Sequence, residues 1–214
     1  MLNQIQGLHH VTSLASSAPQ NNAFFTGALG LRRVKKTVNF DRPEVYHLYY
    51  GDEVGTPGTV MTYFPFPGSA PGHRGTGEVG RTSFSVPEGS LKAWAERLGT
   101  FNVKGMAEDA RFGQGRLLFD GPDGDGFALV EVANDARAPW VSDVSDAMAI
   151  RGFHSTDMRV QDGGASAELM RFMGYEEVER QGTVTRFAVP GGNEANMIDI
   201  DVLADVDAAE QGAG

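Results

Sequence analysis

Gly7-Leu8-His9-His10-Val11-Thr12 reads as the start of a β-strand, and Gly152-Phe153-His154 repeats its pattern in the last third of the chain. Phe24-Phe25-Thr26-Gly27-Ala28-Leu29-Gly30-Leu31-Arg32-Arg33-Val34 aligns without gaps on Glu168-Leu169-Met170-Arg171-Phe172-Met173-Gly174-Tyr175-Glu176-Glu177-Val178. Both matches fall at an offset of about 145 residues, and self-similarity at one long offset marks duplicated structural units.

Working outward, one order of elements recurs three times. Residues 8–15 read as a strand and residues 19–29 as a helix that puts Phe24, Phe25, Ala28 and Leu29 on one face, with Gly30 placed to end it. Strands near 32–39, 45–50 and 59–66 follow, the last two separated by Gly51 and Gly55-Thr56-Pro57-Gly58. A second run opens at Arg81-Thr82-Ser83-Phe84-Ser85-Val86. Its helix spaces Leu91, Trp94, Ala95 and Leu98 at i, i+3, i+4 and i+7 behind Ser90 as N-cap, and strands near 107–112, 115–119 and 127–133 complete it. The third has a helix at about 164–173 and strands near 176–181, 184–189 and 196–202. The expected fold is α+β: β-α-β-β-β units at 7–67, 79–133 and 150–203, a linker at 134–149, and an acidic tail at 204–214.

Composition narrows the function. The 214 residues are 41% hydrophobic, and no apolar run approaches the ~20 residues of a membrane span. A net charge of −10 argues against a nucleic-acid or anionic-membrane surface, since both require basic patches. The Arg32-Arg33 and Lys35-Lys36 cluster reads as the exposed edge of a strand. With no cysteine there are no disulfides, thiolate metal sites or thiol catalysis. Met1-Leu2-Asn3-Gln4-Ile5-Gln6 lacks signal-peptide regions, so cytoplasm is the default location.

The repeated units, the Leu8-His9-His10-Val11-Thr12 opening, Val34-Lys35-Lys36-Thr37-Val38-Asn39, Tyr46-His47-Leu48-Tyr49-Tyr50-Gly51-Asp52-Glu53 and Pro57-Gly58-Thr59 together resemble the vicinal oxygen chelate superfamily, in its ring-cleaving dioxygenase branch that includes hydroquinone-cleaving enzymes. The resemblance implies one Fe(II) held by two histidines and a glutamate, with an aromatic substrate and dioxygen beside it. His10 matches the first histidine, and His9 and Thr12 are the candidate catalytic neighbours. In the family the other two ligands come from a fourth unit. The expectation is therefore that this chain corresponds to the portion before that unit, retains Fe(II) weakly and is inactive alone. A facial set of two imidazoles and a carboxylate leaves neighbouring positions for substrate and oxygen, and one histidine cannot hold the metal.

Strand alternation puts Leu8, His10 and Thr12 on one face and His9 and Val11 on the other. His47 reads as structural and His73 as a loop residue. A second metal site built from Glu131, His154 and Asp199 or Asp201 is disfavoured, because the second unit opens with Arg81-Thr82-Ser83 and offers no imidazole there. Gly75-Thr76-Gly77-Glu78-Val79-Gly80 opens no helix and reads as a linker. Asp120 to Glu131 has the length of a calcium loop, but Pro122 and Gly124 occupy ligand positions, so Gly121-Pro122-Asp123-Gly124 is a turn. His154, Ser155 and Asp157 lie too close on one strand to form a triad.

Two rival functions use the same fold: a glyoxalase-type lyase or isomerase with a Zn²⁺- or Ni²⁺-like metal, and a metal-free small-molecule binding protein. In the family the first and fourth units pair around the cleft, while the second and third pair with each other. Without the fourth, the first unit's inward face should expose apolar side chains such as Leu8, Met61 or Tyr63 and close into a homodimer or aggregate.

Overall fold

The computed structural model describes residues 4–214. Its elements run β1 (His10–Ala15), α1 (Ala18–Ala23), β2 (Arg32–Val38), β3 (Tyr46–Gly51) and β4 (Val60–Pro65), then β5 (Glu78–Pro87), α2 (Leu91–Thr100), β6 (Lys104–Arg111), β7 (Gln114–Asp120) and β8 (Gly126–Val132), and finally β9 (Gly152–Val160), α3 (Gly164–Phe172), β10 (Glu176–Gln181), β11 (Val184–Ala188) and β12 (Met197–Val202). The mixed α+β order expected from the sequence is present. Residues 134–149 contain neither helix nor strand.

Helix α1 does not stay α-helical as expected. After Ala23 it widens into a π-helical segment, Phe24–Ala28, and Gly30 with φ +67° then turns the chain into β2. The four side chains read as one helix face, Phe24, Phe25, Ala28 and Leu29, are all buried. Helix α2 starts where expected, but Ser90 does not cap it with its side chain. Its hydroxyl donates to the Pro87 carbonyl, and the Glu131 carboxylate of β8 accepts instead from the amides of Gly89 at 2.7 Å and Leu91 at 3.4 Å. A carboxylate does this well because it meets the positive end of the helix dipole.

The strands form two sheets. The first has the order β1-β4-β3-β2, with β1 parallel to β4, and the second the order β10-β11-β12-β9-β5-β8-β7-β6. An antiparallel β5–β9 ladder joins the second and third runs into that eight-stranded sheet. Strand β2 is an edge, as its Arg/Lys cluster suggested, and basic side chains guard such edges against pairing. One core unites the first and second runs around Phe25, Phe84, Trp94, Phe119 and Phe127. That core also takes in Phe153 of β9, and a smaller one around Met170, Phe187 and Ile200 lies in the third run with Leu8 packed against it.

Residues 204–214 lie along the connection between the first two runs. Bridges join Pro71 to Ala213, His73 to Glu210 and Thr76 to Ala208, and the Gly214 amide donates to the Leu14 carbonyl at 3.2 Å. The glycine-rich stretch at 75–80 opens no helix, although β5 already begins at Glu78 within it. Gly121-Pro122-Asp123-Gly124 is the turn expected between β7 and β8, with Gly124 at φ +98°. Among the described residues no helix is long and apolar enough to cross a membrane.

Candidate functional site

The register of the first sheet assigns its two faces. Thr12 of β1 pairs with Thr62 of β4, Thr62 with Tyr49 of β3, and Tyr49 with Lys35 of β2, so these four form one cross-strand row. Side chains alternate along a strand, which adds His10, Phe64 and His47 to that face. The other face is sealed. Leu48, Tyr50, Met61 and Tyr63 are buried against the helical segment, with Phe25 stacked on Tyr50 at 4.8 Å and 5.0 Å from Tyr63, whose hydroxyl donates to Asp125 at 2.9 Å. This corrects the expectation that Met61 or Tyr63 would stand exposed on an open apolar face: they are 1% and 0% exposed, and Leu8 packs against the cores. A four-stranded sheet must bury one face under its own helix, and the apolar set went there.

His9 and His10 also depart from the alternation expected of them. The strand begins only at His10, behind Gly7 at φ +136°, so His9 is not held to the pleat. Their Nδ1 atoms lie 3.0 Å apart and their rings meet edge to face at 5.2 Å. One Nδ1 carries the hydrogen and the other accepts it. Partial burial, and secondarily the charge of His9, hold the His10 pKa below its ordinary value, so the ring is neutral near neutral pH.

Thr12 bonds Thr62 hydroxyl to hydroxyl at 2.7 Å. Further along the face, the Tyr49 hydroxyl and His47 Nδ1 are 2.8 Å apart. The His47 ring lies 4.0 Å from that of Phe64 and 4.2 Å from that of Tyr49. Burial first, then the charges of His10 and Lys35, lower the His47 pKa. The sequence reading treats His47 as structural and passes over Tyr49 and Thr62. The signal was in Tyr46-His47-Leu48-Tyr49-Tyr50: once Leu48 and Tyr50 are core, His47 and Tyr49 must share the opposite face.

The third run carries a filled counterpart of this site. Gly152, at φ +144°, opens β9, and the β5–β9 ladder slips between Ser155 and Phe153, turning His154 aside. His154 Nδ1 lies 3.0 Å from Ser155 Oγ and its Nε2 3.1 Å from Gln114 Oε1. Arg186 grips Asp199 with two bonds of 2.7 and 2.8 Å, and Arg111 holds Asp157 at 2.7 Å. Burial first, then the charges of Arg186, Arg137 and Arg116, pushes the His154 pKa down to about 3. The residues weighed for a second metal site are not brought together: Glu131 caps α2, His154 is held by Gln114, Asp199 is paired with Arg186, and Asp201 accepts from Thr183.

Among the described residues no three His, Cys, Asp or Glu side chains converge as metal ligands. The open face offers imidazole and hydroxyl groups. That donor set does not fit a two-imidazole, one-carboxylate iron centre.

No family model matches the chain. It is 38% identical over 216 residues to MhqO of Bacillus subtilis (strain 168), named provisionally as a ring-cleaving dioxygenase, with all of this chain and 68% of that protein covered. It is 36% identical over 209 residues to the chlorohydroquinone/hydroquinone 1,2-dioxygenase of Sphingobium indicum, covering 94% of this chain and 65% of that one. A crystal structure of a provisionally assigned dioxygenase from Bacillus subtilis superposes with a TM-score of 0.92 at 37% identity, over 98% of this chain and 67% of that one. Maize glyoxalase I, at 14% identity and a TM-score of 0.73 over 97% of this chain and 72% of that one, shares the fold alone. The chain spans about two thirds of the length of the curated relatives it matches. By the paired histidines opening β1, the sheet architecture and these likenesses, the chain belongs to the ring-cleaving dioxygenase family of the vicinal oxygen chelate superfamily.

Proposed function

We propose that this chain forms part of an Fe(II)-dependent ring-cleaving dioxygenase acting on hydroquinone- or catechol-type aromatics, with dioxygen as second substrate. The observation that carries this reading is the His9–His10 pair on the open polar face of the first sheet, in a chain 36% identical to a named hydroquinone dioxygenase. His10 is the metal-ligand position, His9 fixes its ring through the shared Nδ1 hydrogen, and Thr12 lines the face beside it. The remaining ligands belong, in this proposal, to the part of the relatives' length that the chain does not span.

The test is oxygen uptake with hydroquinone and with catechol after anaerobic addition of Fe(II), comparing His10→Ala with the native chain and with any longer form. Uptake abolished by His10→Ala supports the assignment. Turnover of a thiol adduct without oxygen consumption would replace it with the glyoxalase-type reading.

We further propose that the first sheet pairs with a second copy through β1. The support is internal: β1 has one strand neighbour, β4, with only the Gly214 amide on its other edge at Leu14 among the described backbone bonds, whereas the opening strands of the other two runs, β5 and β9, pair antiparallel with each other. The contact is a strand edge, not an apolar face. A monodisperse monomer by light scattering across the micromolar range would refute it.

A further inference from the structure

We propose that His47 and Tyr49 form the hydroxyl-binding pair for the aromatic ligand on the His10 face of the first sheet; the inference rests on the function proposed above. Register places Tyr49 in the row Thr12–Thr62–Tyr49, two strands from β1. The structural work of β3 is done by its other face, where Leu48 and Tyr50 are buried in the core. The core therefore does not call for an imidazole and a phenol at 47 and 49.

Their polar atoms point to a ligand. The 2.8 Å bond between the Tyr49 hydroxyl and His47 Nδ1 fixes the orientation of the imidazole. His47 Nε2 is buried and has no hydrogen-bond partner among the described residues. Buried polar atoms are almost always satisfied, so this one needs a group delivered to it. A phenolic hydroxyl suits it in either tautomer, because it both donates and accepts. The rings of Phe64 and Tyr49 pack on the His47 ring at 4.0 and 4.2 Å and hold it in place for that group. Lys35, its amine 5.5 Å from the centre of the Tyr49 ring, adds positive charge that favours an electron-rich phenol over a cation.

The experiment is an anaerobic NMR titration of the full chain, with histidine rings isotopically labelled, using benzene-1,4-diol and 1,4-dimethoxybenzene as probes. We expect the His47 ring signals to shift saturably with the diol. Tyr49→Phe and His47→Phe should each bind it about ten-fold more weakly, the equivalent of one hydrogen bond, at an unchanged melting temperature. The dimethoxy compound should bind native and variant chains alike. If His47→Phe does not fold, His47→Gln replaces it. Equal diol affinity in native and variant chains, or no saturable shift in the native chain, overturns the pair. Diol binding that is intact and variant-sensitive, without oxygen uptake in any form of the protein, would instead sink the dioxygenase reading and leave the pair standing.

Discussion

Gln114 of β7 reaches across the shared sheet to His154 of β9, its Oε1 3.1 Å from the imidazole Nε2. One run thus satisfies the histidine that opens the next. His9, which the Gly7–Gly152 match sets opposite His154, has one side-chain hydrogen bond among the described residues, to its neighbour His10. The contrast separates a histidine built into a core from one left open for chemistry.

Burial of a neutral His154 gives stability a pH dependence of defined sign. The folded-state pKa of about 3 lies below the ordinary value of 6.5, so the unfolded chain takes up a proton first as pH falls. The contribution is complete above pH 6.5 and is lost as pH drops towards 3, with a slope of about 1.4 kcal/mol per pH unit for one proton. Denaturant melts across that range should show the slope in the native chain and a shallower one in His154→Gln. Parallel curves would refute it.

Breaking the Arg186–Asp199 pair should be severe, because both partners are buried and the carboxylate would keep only the longer 3.4 Å contact to Arg111. Arg186→Met is expected to cost about 3–5 kcal/mol. The double change Arg186→Met with Asp199→Leu should recover much of that loss, measured as the shift in urea midpoint.

Removing the Glu131 cap should cost less. Glu131→Ala leaves the amides of Gly89 and Leu91 without their acceptor, and a loss of about 0.5–2 kcal/mol is expected, in the range measured for N-cap replacements. Ser90→Ala removes only a bond to the Pro87 carbonyl and should cost less than Glu131→Ala in the same melt.

Iron should pass through this chain without staying. With no three-ligand group among the described residues, Fe(II) added anaerobically should fall well below one equivalent after desalting. Elemental analysis near one iron per chain, lost in His10→Ala, would contradict this and locate a site that the described residues do not display.

Much of the architecture was legible because it is local. Gly30, the Phe24–Leu29 face and the turn at Gly121–Gly124 declare themselves within a few residues of where they act. What escaped is set by partners distant in sequence. Whether Tyr63 faces helix or solvent depends on the pairing of β4 with β1 and β3, and Glu131 caps a helix 40 residues earlier. The His9–His10 contact escaped because alternation holds only inside a strand, and β1 starts one residue too late to constrain His9.

The second run holds a double membership, sharing a sheet with the third and a hydrophobic core with the first. It is the keystone of the chain. Loosening the α3 side of the third run, around Met170 and Phe187, can stay a local event, whereas loosening Phe127 or Trp94 withdraws support in two directions at once. Amide exchange should accordingly find its slowest protons in β5 and β8, and the face that carries His10 inherits its rigidity from residues that never touch it.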